Sequence, residues 1–262
     1  MDVNELFELK GQVAIVTGAS AGLGQVFTDV LASKGARLAI CARRVSKLKE
    51  LAQMLKKKHK TEVFFMKVDV TKEEQVTKFC KAVFEKYGRI DILVNNVGTS
   101  GVTAGDAPSF KFSRDAWTNE IEKNLTSTFL MSREAAKYMS RNKYGRIINL
   151  SSVLGLVAAD GWNMPSYYAS KGGIVNLTRG LAVEFAKYGI NVNAIAPGTF
   201  PSEGTKSLFK DREFVKHVES LVPMHRMGRH DDLKGVVLFL ASHASDYVTG
   251  HTIPVDGGWT IW

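Results

Sequence analysis

The stretch SYYASKGG, residues 166–173, places Tyr167 and Tyr168 side by side and Lys171 shortly after them. On a helix, spacings of three and four residues bring side chains to one face. Lys171 is then about 40° around the axis from Tyr167 and about 60° from Tyr168. Either tyrosine could therefore meet the ammonium, and spacing alone does not choose between them. A phenol of ordinary pKa near 10 is a poor proton donor at neutral pH. An ammonium about 5 Å away, at an effective dielectric near 20, is worth roughly 3 kcal/mol, or about 2 pKa units. Such a pair could protonate a carbonyl oxygen; the alternative is a solvated pair on a surface helix.

A second chemical signal lies near the chain start. TGASAGLG (17–24) follows an apolar run, and its glycines Gly18, Gly22 and Gly24 allow a tight turn opening a helix. Unpaired helix N–H groups there suit a phosphate, with Ser20, Ala21 and Leu23 completing the loop. The plain alternative is a turn. Further on, GARLAICARR carries no acid where an adenosine ribose is usually read, and Arg43 and Arg44 stand there instead. A guanidinium can take a 2′-phosphate through two donors, so the expected cofactor is NADP(H) rather than NAD(H). An ordinary basic loop is the competing reading, more so for Arg44 than for Arg43.

Seven short apolar runs must position these groups: QVAIVTG (12–18), RLAICA (37–42), EVFFMKV (62–68), DILVNN (91–96), RIINLSS (146–152), INVNAIAP (190–197) and HTIPVD (251–256). They are mostly continuous rather than alternating, as in parallel strands covered on both faces. Helical spacing separates the early ones, with Val76, Phe79, Cys80 and Val83 on one face of the third intervening segment. This predicts an α/β fold: a single doubly wound Rossmann-type domain over residues 1–262, about seven parallel strands with helices on both faces. No linker, repeat or low-complexity tract divides it.

The chain has 262 residues and a formal net charge of +9. Its lysines are dispersed, KKKHK (56–60) being the one dense run, and no nucleic-acid motif accompanies it, so a solvated helix end is expected and no nucleic-acid partner. The two cysteines, Cys41 and Cys80, imply no disulfide framework. No run has the length of a membrane helix and the N-terminus lacks a signal-peptide pattern, which predicts a soluble, cytoplasmic protein. Six scattered histidines, among them His217, His225, His230 and His251, form no metal-binding spacing, so no metal site is expected. No G-x-S-x-G elbow suggests a hydrolase.

TGASAGLG, NNVG (95–98), Asn124 in EKNLTSTF, SSVLG (151–155), YYASK (167–171) and APG (196–198) occur in the order found in short-chain dehydrogenases/reductases, and the chain resembles that family over essentially its whole length. The resemblance implies a catalytic tetrad of Asn124, Ser152, Tyr167 and Lys171. It selects Tyr167 as the acid through Y-x-x-x-K and leaves Tyr168 to pack against cofactor-side residues or another subunit. It implies that Asp69 and Val70 meet the adenine, that Asn96, Val97 and Gly98 line the cofactor, and that Pro197, Gly198 and Thr199 adjoin the nicotinamide. Lys171 would stabilise the tyrosinate and hold the ribose, Ser152 would orient the carbonyl with Ser151 turned the opposite way, and Asn124 would hold a water leading from Lys171.

Three features depart from the family pattern. Val97 replaces the usual alanine, the interval from Ser152 to Tyr167 is longer, and Ala21 stands where a basic residue often contacts phosphate. The ending ASDYVTGHTIPVDGGW (244–259) is similar to that of soluble homotetramers, especially gluconate 5-dehydrogenase and deoxygluconate dehydrogenase types and 3-oxoacyl thioester reductases. The expected reaction interconverts a ketone and a secondary alcohol, with a keto-sugar acid first and a 3-oxoacyl thioester second. A catalytically idle dinucleotide sensor is the reading from another class.

Residues 199–226 read as a substrate lid with basic character from Lys206, Lys210, Arg212, Lys216, His225 and Arg226. Arg226 also suits lid-to-helix packing. The opposite wall offers Leu154, Leu156, Val157, Trp162 and Met164, with Trp259 and Trp262 as added aromatic surface. The two walls point to different substrates, and the sequence does not choose.

Overall fold

The computed structural model describes residues 2–98, 109–160, 162–203 and 208–261, apart from the side chain of Leu208. All seven expected runs form strands: β1 Val13–Thr17, β2 Arg37–Ala42, β3 Val63–Lys67, β4 Ile92–Asn95, β5 Gly145–Leu150, β6 Ile190–Pro197 and β7 Thr252–Val255. They make one parallel sheet of order β3-β2-β1-β4-β5-β6-β7. In chain order the helices are α1 Val3–Leu6, α2 Leu23–Ser33, α3 Val45–His59, α4 Glu73–Tyr87, α5 Arg114–Ile121, α6 Ser127–Asn142, α7 Pro165–Phe185, α8 Arg212–Ser220 and α9 Lys234–Ala241.

Strand alternation sorts the core into two layers. Ala14 and Val16 of β1 share one layer with Phe27, Leu31, Leu48 and Leu240, so α2, α3 and α9 cover that face. Val13 and Ile15 share the other with Phe79, Val83, Ala135 and Leu181, from α4, α6 and α7. Cys41 and Cys80 are buried free thiols in this second layer, pushed up in pKa by desolvation. Each fully buried Val, Leu, Ile or Phe of these layers stabilises the fold by about 1.5–3 kcal/mol.

The strand order reverses at β1: β2 and β4 lie on its two sides. Crossovers leave in opposite directions there, which opens a crevice at the carboxyl ends of β1 and β4. No helix among the described residues is long and apolar enough to cross a membrane.

Candidate active site

A cleft of about 1440 Å³ runs along the carboxyl ends of the strands, from Arg43, Arg44 and Asp69 past Gly18 and Asn96 to Ser152, Tyr167, Lys171, Phe209 and Phe214. The glycine loop forms one wall. Gly18 has φ +64° and Gly22, which caps α2, has φ +58°. A Cβ on Gly24 would lie 2.6 Å from the Gly18 carbonyl oxygen and 2.8 Å from Asn96 Nδ2, so only glycine lets the loop close onto α2. Asn96 Nδ2 donates to the carbonyls of Thr17 (3.1 Å) and Gly18 (3.3 Å). The backbone amides of Asn96 and Val97 both donate to Thr17 Oγ1, at 3.0 and 3.2 Å. Thr17, which the motif reading did not single out, is thus the pin joining β1 to the end of β4. Asn96 lines the cleft and also braces the loop, while the larger Val97 packs on it, its Cγ2 lying 3.1 Å from where a Gly18 Cβ would be.

At the Arg43–Arg44 end of the cleft, Asp69 accepts from the Thr71 amide (3.1 Å) and hydroxyl (2.8 Å). Burial alone would raise its carboxyl, but those bonds and the Arg43 charge hold it below the usual range. Arg44 donates to both carboxylate oxygens of Glu203, at 2.9 and 2.7 Å, and to Ser20 Oγ at 3.4 Å. The guanidinium therefore links the glycine loop to the segment after β6. Arg43 lies beside it on the cleft wall with Ala21, Leu23 and Val70. Pro197, Gly198 and Thr199 line the cleft beyond β6, fixed by the Gly198 amide donating to Val255 O (3.0 Å) and the Gly228 amide to Thr199 O (3.0 Å).

Four side chains converge midway. Ser152, just past β5, turns into the cleft and hydrogen-bonds the Tyr167 phenol. Ser151 turns the other way and donates to the Lys171 carbonyl at 2.8 Å, as strand alternation requires. Lys171, 4% exposed, donates from Nζ to Leu150 O at 2.8 Å. Its Nζ lies 5.6 Å from the Tyr167 ring centre. Asn124 sits in a π-helical turn, Glu122–Thr126, between α5 and α6, and its Nδ2 donates to Ser170 Oγ at 2.9 Å. Such single π turns recur at functional sites, since the extra residue re-aims a side chain. A Cβ placed on Gly98 would be 3.2 Å from Asn124 Oδ1 and 3.3 Å from Lys171 Nζ. Gly98, Asn124 and Lys171 therefore meet at one point.

The electrostatics differ from the expectation of a phenol made more acidic by its lysine. Burial pushes Tyr167 up to about 12, the Ser152 hydrogen bond opposing it and a carboxylate, Glu120, adding to it. Burial pulls Lys171 down to about 8, with Glu120 acting against it. Desolvation dominates both groups, and the ammonium is turned toward Leu150 O.

Of the two places expected for Tyr168, it does not take the cofactor side. Its hydroxyl accepts from the Ala159 amide (3.1 Å) and donates to the Ala159 carbonyl (3.3 Å). It clamps the lengthened loop after Ser152 instead of meeting cofactor-side residues. That loop carries Trp162, stacked on Phe214 of α8 at 6.2 Å and edge-on to Trp259 at 5.7 Å. Trp259 is buried here, completing a wall with Leu154, Met164 and Phe209. Among the expected lid cations, Lys210, Arg212 and Lys216 are exposed, and Arg226 pairs with Asp232 at 2.6 Å, consistent with packing of the lid on the turn before α9. Lys206, Trp262 and Gly161 of the loop lie outside the described residues.

The Gly18–Gly24 cradle, the missing Cβ at Gly24 and the basic Arg43–Arg44 end fit a phosphorylated dinucleotide along this cleft. Comparisons with known proteins agree with that fit. Residues 18–260 match a family described as Enoyl-(Acyl carrier protein) reductase. A 2-dehydro-3-deoxy-D-gluconate 5-dehydrogenase of Escherichia coli is 38% identical over 254 residues, 97% of each chain. A short-chain type dehydrogenase/reductase structure from Mycobacterium marinum superposes with a TM-score of 0.93 at 32% identity, covering 100% of both chains. A gluconate 5-dehydrogenase from Burkholderia cenocepacia, crystallised with NADP and tartrate, gives a TM-score of 0.92 at 34% identity over 99% of both chains.

Proposed function

The chain belongs to the short-chain dehydrogenase/reductase family and is an oxidoreductase acting on CH–OH groups, and on that premise we propose that it uses NADP(H) to interconvert a keto-sugar acid and its secondary alcohol. One observation carries the reading: Ser152, Tyr167 and Lys171 face a cleft continuous with a glycine loop and a basic adenosine end. Gly18, Ser20, Ala21, Gly22, Leu23 and Gly24 would hold the pyrophosphate, and Arg43, aided by Arg44, the 2′-phosphate. Asp69 and Val70 would flank the adenine. Asn96, Val97, Gly98, Pro197, Gly198 and Thr199 would flank the nicotinamide end. When bound, the dinucleotide supplies or accepts the hydride.

Ser152 donates a hydrogen bond that orients the carbonyl oxygen toward Tyr167. Tyr167, protonated at neutral pH, gives its phenolic proton to that oxygen in reduction and takes one from the alcohol in oxidation. Lys171 stabilises the phenolate left behind and holds the ribose, and Asn124 links Lys171 to solvent through a water. The 199–226 segment acts as the lid of the one domain spanning 1–262, closing the aromatic wall over the substrate and excluding water. A homotetramer and a cytoplasmic location complete the reading.

The names of the relatives, the tartrate in the Burkholderia structure, and Lys123 and His217 on the cleft wall support an acidic sugar. The wall of Leu154, Trp162, Met164, Phe209 and Phe214 favours a 3-oxoacyl thioester instead, as do relatives named 3-oxoacyl-[acyl-carrier-protein] reductase. A panel of keto-sugar acids, 3-oxoacyl thioesters and simple ketones, followed by NADPH consumption, separates the two. The expected outcome is a kcat/KM for keto-sugar acids at least about tenfold above the others, the scale of one good polar contact. Preference for the thioester transfers the assignment to the second reading. Tight NADPH binding without turnover of any carbonyl points to a sensor.

A further inference from the structure

Glu120 is a carboxylate only 4% exposed, one helical turn before Asn124, and the chemistry above does not use it. Two side-chain bonds join α5 and the π turn that follows it to α7, which bears Tyr167 and Lys171. Ser166 Oγ donates to Glu120 Oε2 at 2.5 Å, and four residues on, Asn124 Nδ2 donates to Ser170 Oγ at 2.9 Å. The rungs keep the same spacing on both helices, and each serine immediately precedes a member of the acid–base pair, Tyr167 after Ser166 and Lys171 after Ser170. The lacing therefore fixes the Tyr167–Lys171 face of α7 against a buried carboxyl group. Burying an ammonium such as Lys171 is costly unless an opposite charge shares its low-dielectric surroundings.

We propose that Glu120 is a positioning residue of the reaction, the buried counter-charge that keeps Lys171 cationic and Tyr167 protonated at working pH. The proposal rests on the reading of Tyr167 and Lys171 as the acid–base pair. Other charged groups on these elements are differently placed. Arg114 and Asp115 lie on the exposed first turn of α5, and Glu122 and Lys123 lie partly open on the cleft wall. Glu120 is the charge felt by both members of the pair, raising each of them. The sign follows: removing a negative charge makes both Tyr167 and Lys171 give up their protons at lower pH.

The test reads Lys171 directly in the cofactor-free protein. Lysine labelled with ¹³C at the ε-carbon is titrated by NMR in the unsubstituted protein, Glu120→Gln and Glu120→Asp, and the Lys171 signal is identified by its loss in Lys171→Arg. The expected result is a lower midpoint in Glu120→Gln, by at least about half a pH unit, and recovery toward the original value in Glu120→Asp. An unchanged Lys171 midpoint in folded Glu120→Gln overturns the proposal. Should Glu120→Gln fail to fold, ¹³C-carboxyl labelling of the unsubstituted protein decides: Glu120 ionised at pH 7 sustains the counter-charge, and Glu120 protonated there overturns it. With 5-keto-D-gluconate and NADPH, the alkaline limb of kcat/KM for reduction should move down in Glu120→Gln alongside the NMR midpoint. A merely structural role would lower the rate equally at every pH. Because the NMR titration needs neither cofactor nor turnover, it stands even if 5-keto-D-gluconate is not reduced, so the two failures are distinguishable.

Discussion

Tyr167→Phe lowers carbonyl reduction by about 10³-fold, within the range that a positioned general acid contributes, while NADPH affinity stays within about threefold of the unsubstituted protein. The substitution removes one oxygen and leaves the ring on the cleft wall. The lost atom is the one hydrogen-bonded by Ser152, where a carbonyl oxygen would receive its proton. Binding is carried elsewhere, by the glycine loop and the basic adenosine end. The neighbouring tyrosine is the control. Tyr168→Phe removes the two bonds to Ala159 and loosens the loop that carries Trp162. Its kcat should remain within about threefold, with KM rising by a similar factor, because the substrate wall is softened and the proton donor is intact. Stopped-flow oxidation of NADPH and fluorescence titration of NADPH measure the two quantities. Exchange of the two phenotypes would assign the acid to Tyr168.

Arg43→Asp is expected to weaken NADPH binding on the order of 100-fold while changing NADH binding by less than about threefold. Arg43 stands at the end of β2 with its charge acting on Asp69, and Arg44 already shares its donors between Glu203 and Ser20. A 2′-phosphate would gain charge-assisted hydrogen bonds from Arg43 and repulsion from an aspartate in its place. NADH lacks that phosphate and meets neither. The preference should also fall as salt is raised, since the site is exposed. Calorimetric titration with both dinucleotides checks it; equal losses for both would remove Arg43 from phosphate recognition.

The parts of this site that were legible in the sequence are those fixed by local chemistry. Continuous apolar runs gave seven parallel strands because burial on both faces demands them, and β1 to β7 fall within the expected segments. Gly18, Gly22 and Gly24 signalled a loop that excludes side chains, and the Cβ contacts at Gly24 supply the reason. What could not be read was long-range. Glu120 meets Ser166 across two helices, Tyr168 reaches back to Ala159, and Arg44 crosses to Glu203; none of these pairings has a spacing rule. Glu120 had one visible signal, an acid one turn before Asn124 on a face that continues into Thr128 and Met131 of α6. The sign of the Tyr167 shift was unreadable for a different reason. A pairwise Coulomb sum of about 2 pKa units favours the phenolate, whereas desolvation depends on how the folded chain surrounds the phenol, and here desolvation prevails.

Deuterium transfer from NADPH carrying deuterium at both C4 positions of the nicotinamide tests the central claim most directly. The account predicts that, with a keto-sugar acid, one deuterium appears on the new carbinol carbon for each NADPH oxidised, read by mass spectrometry and NMR of the product. The transfer should be lost together with turnover in Tyr167→Phe. NADPH bound in the cleft with no deuterium passing to any carbonyl carbon would contradict it.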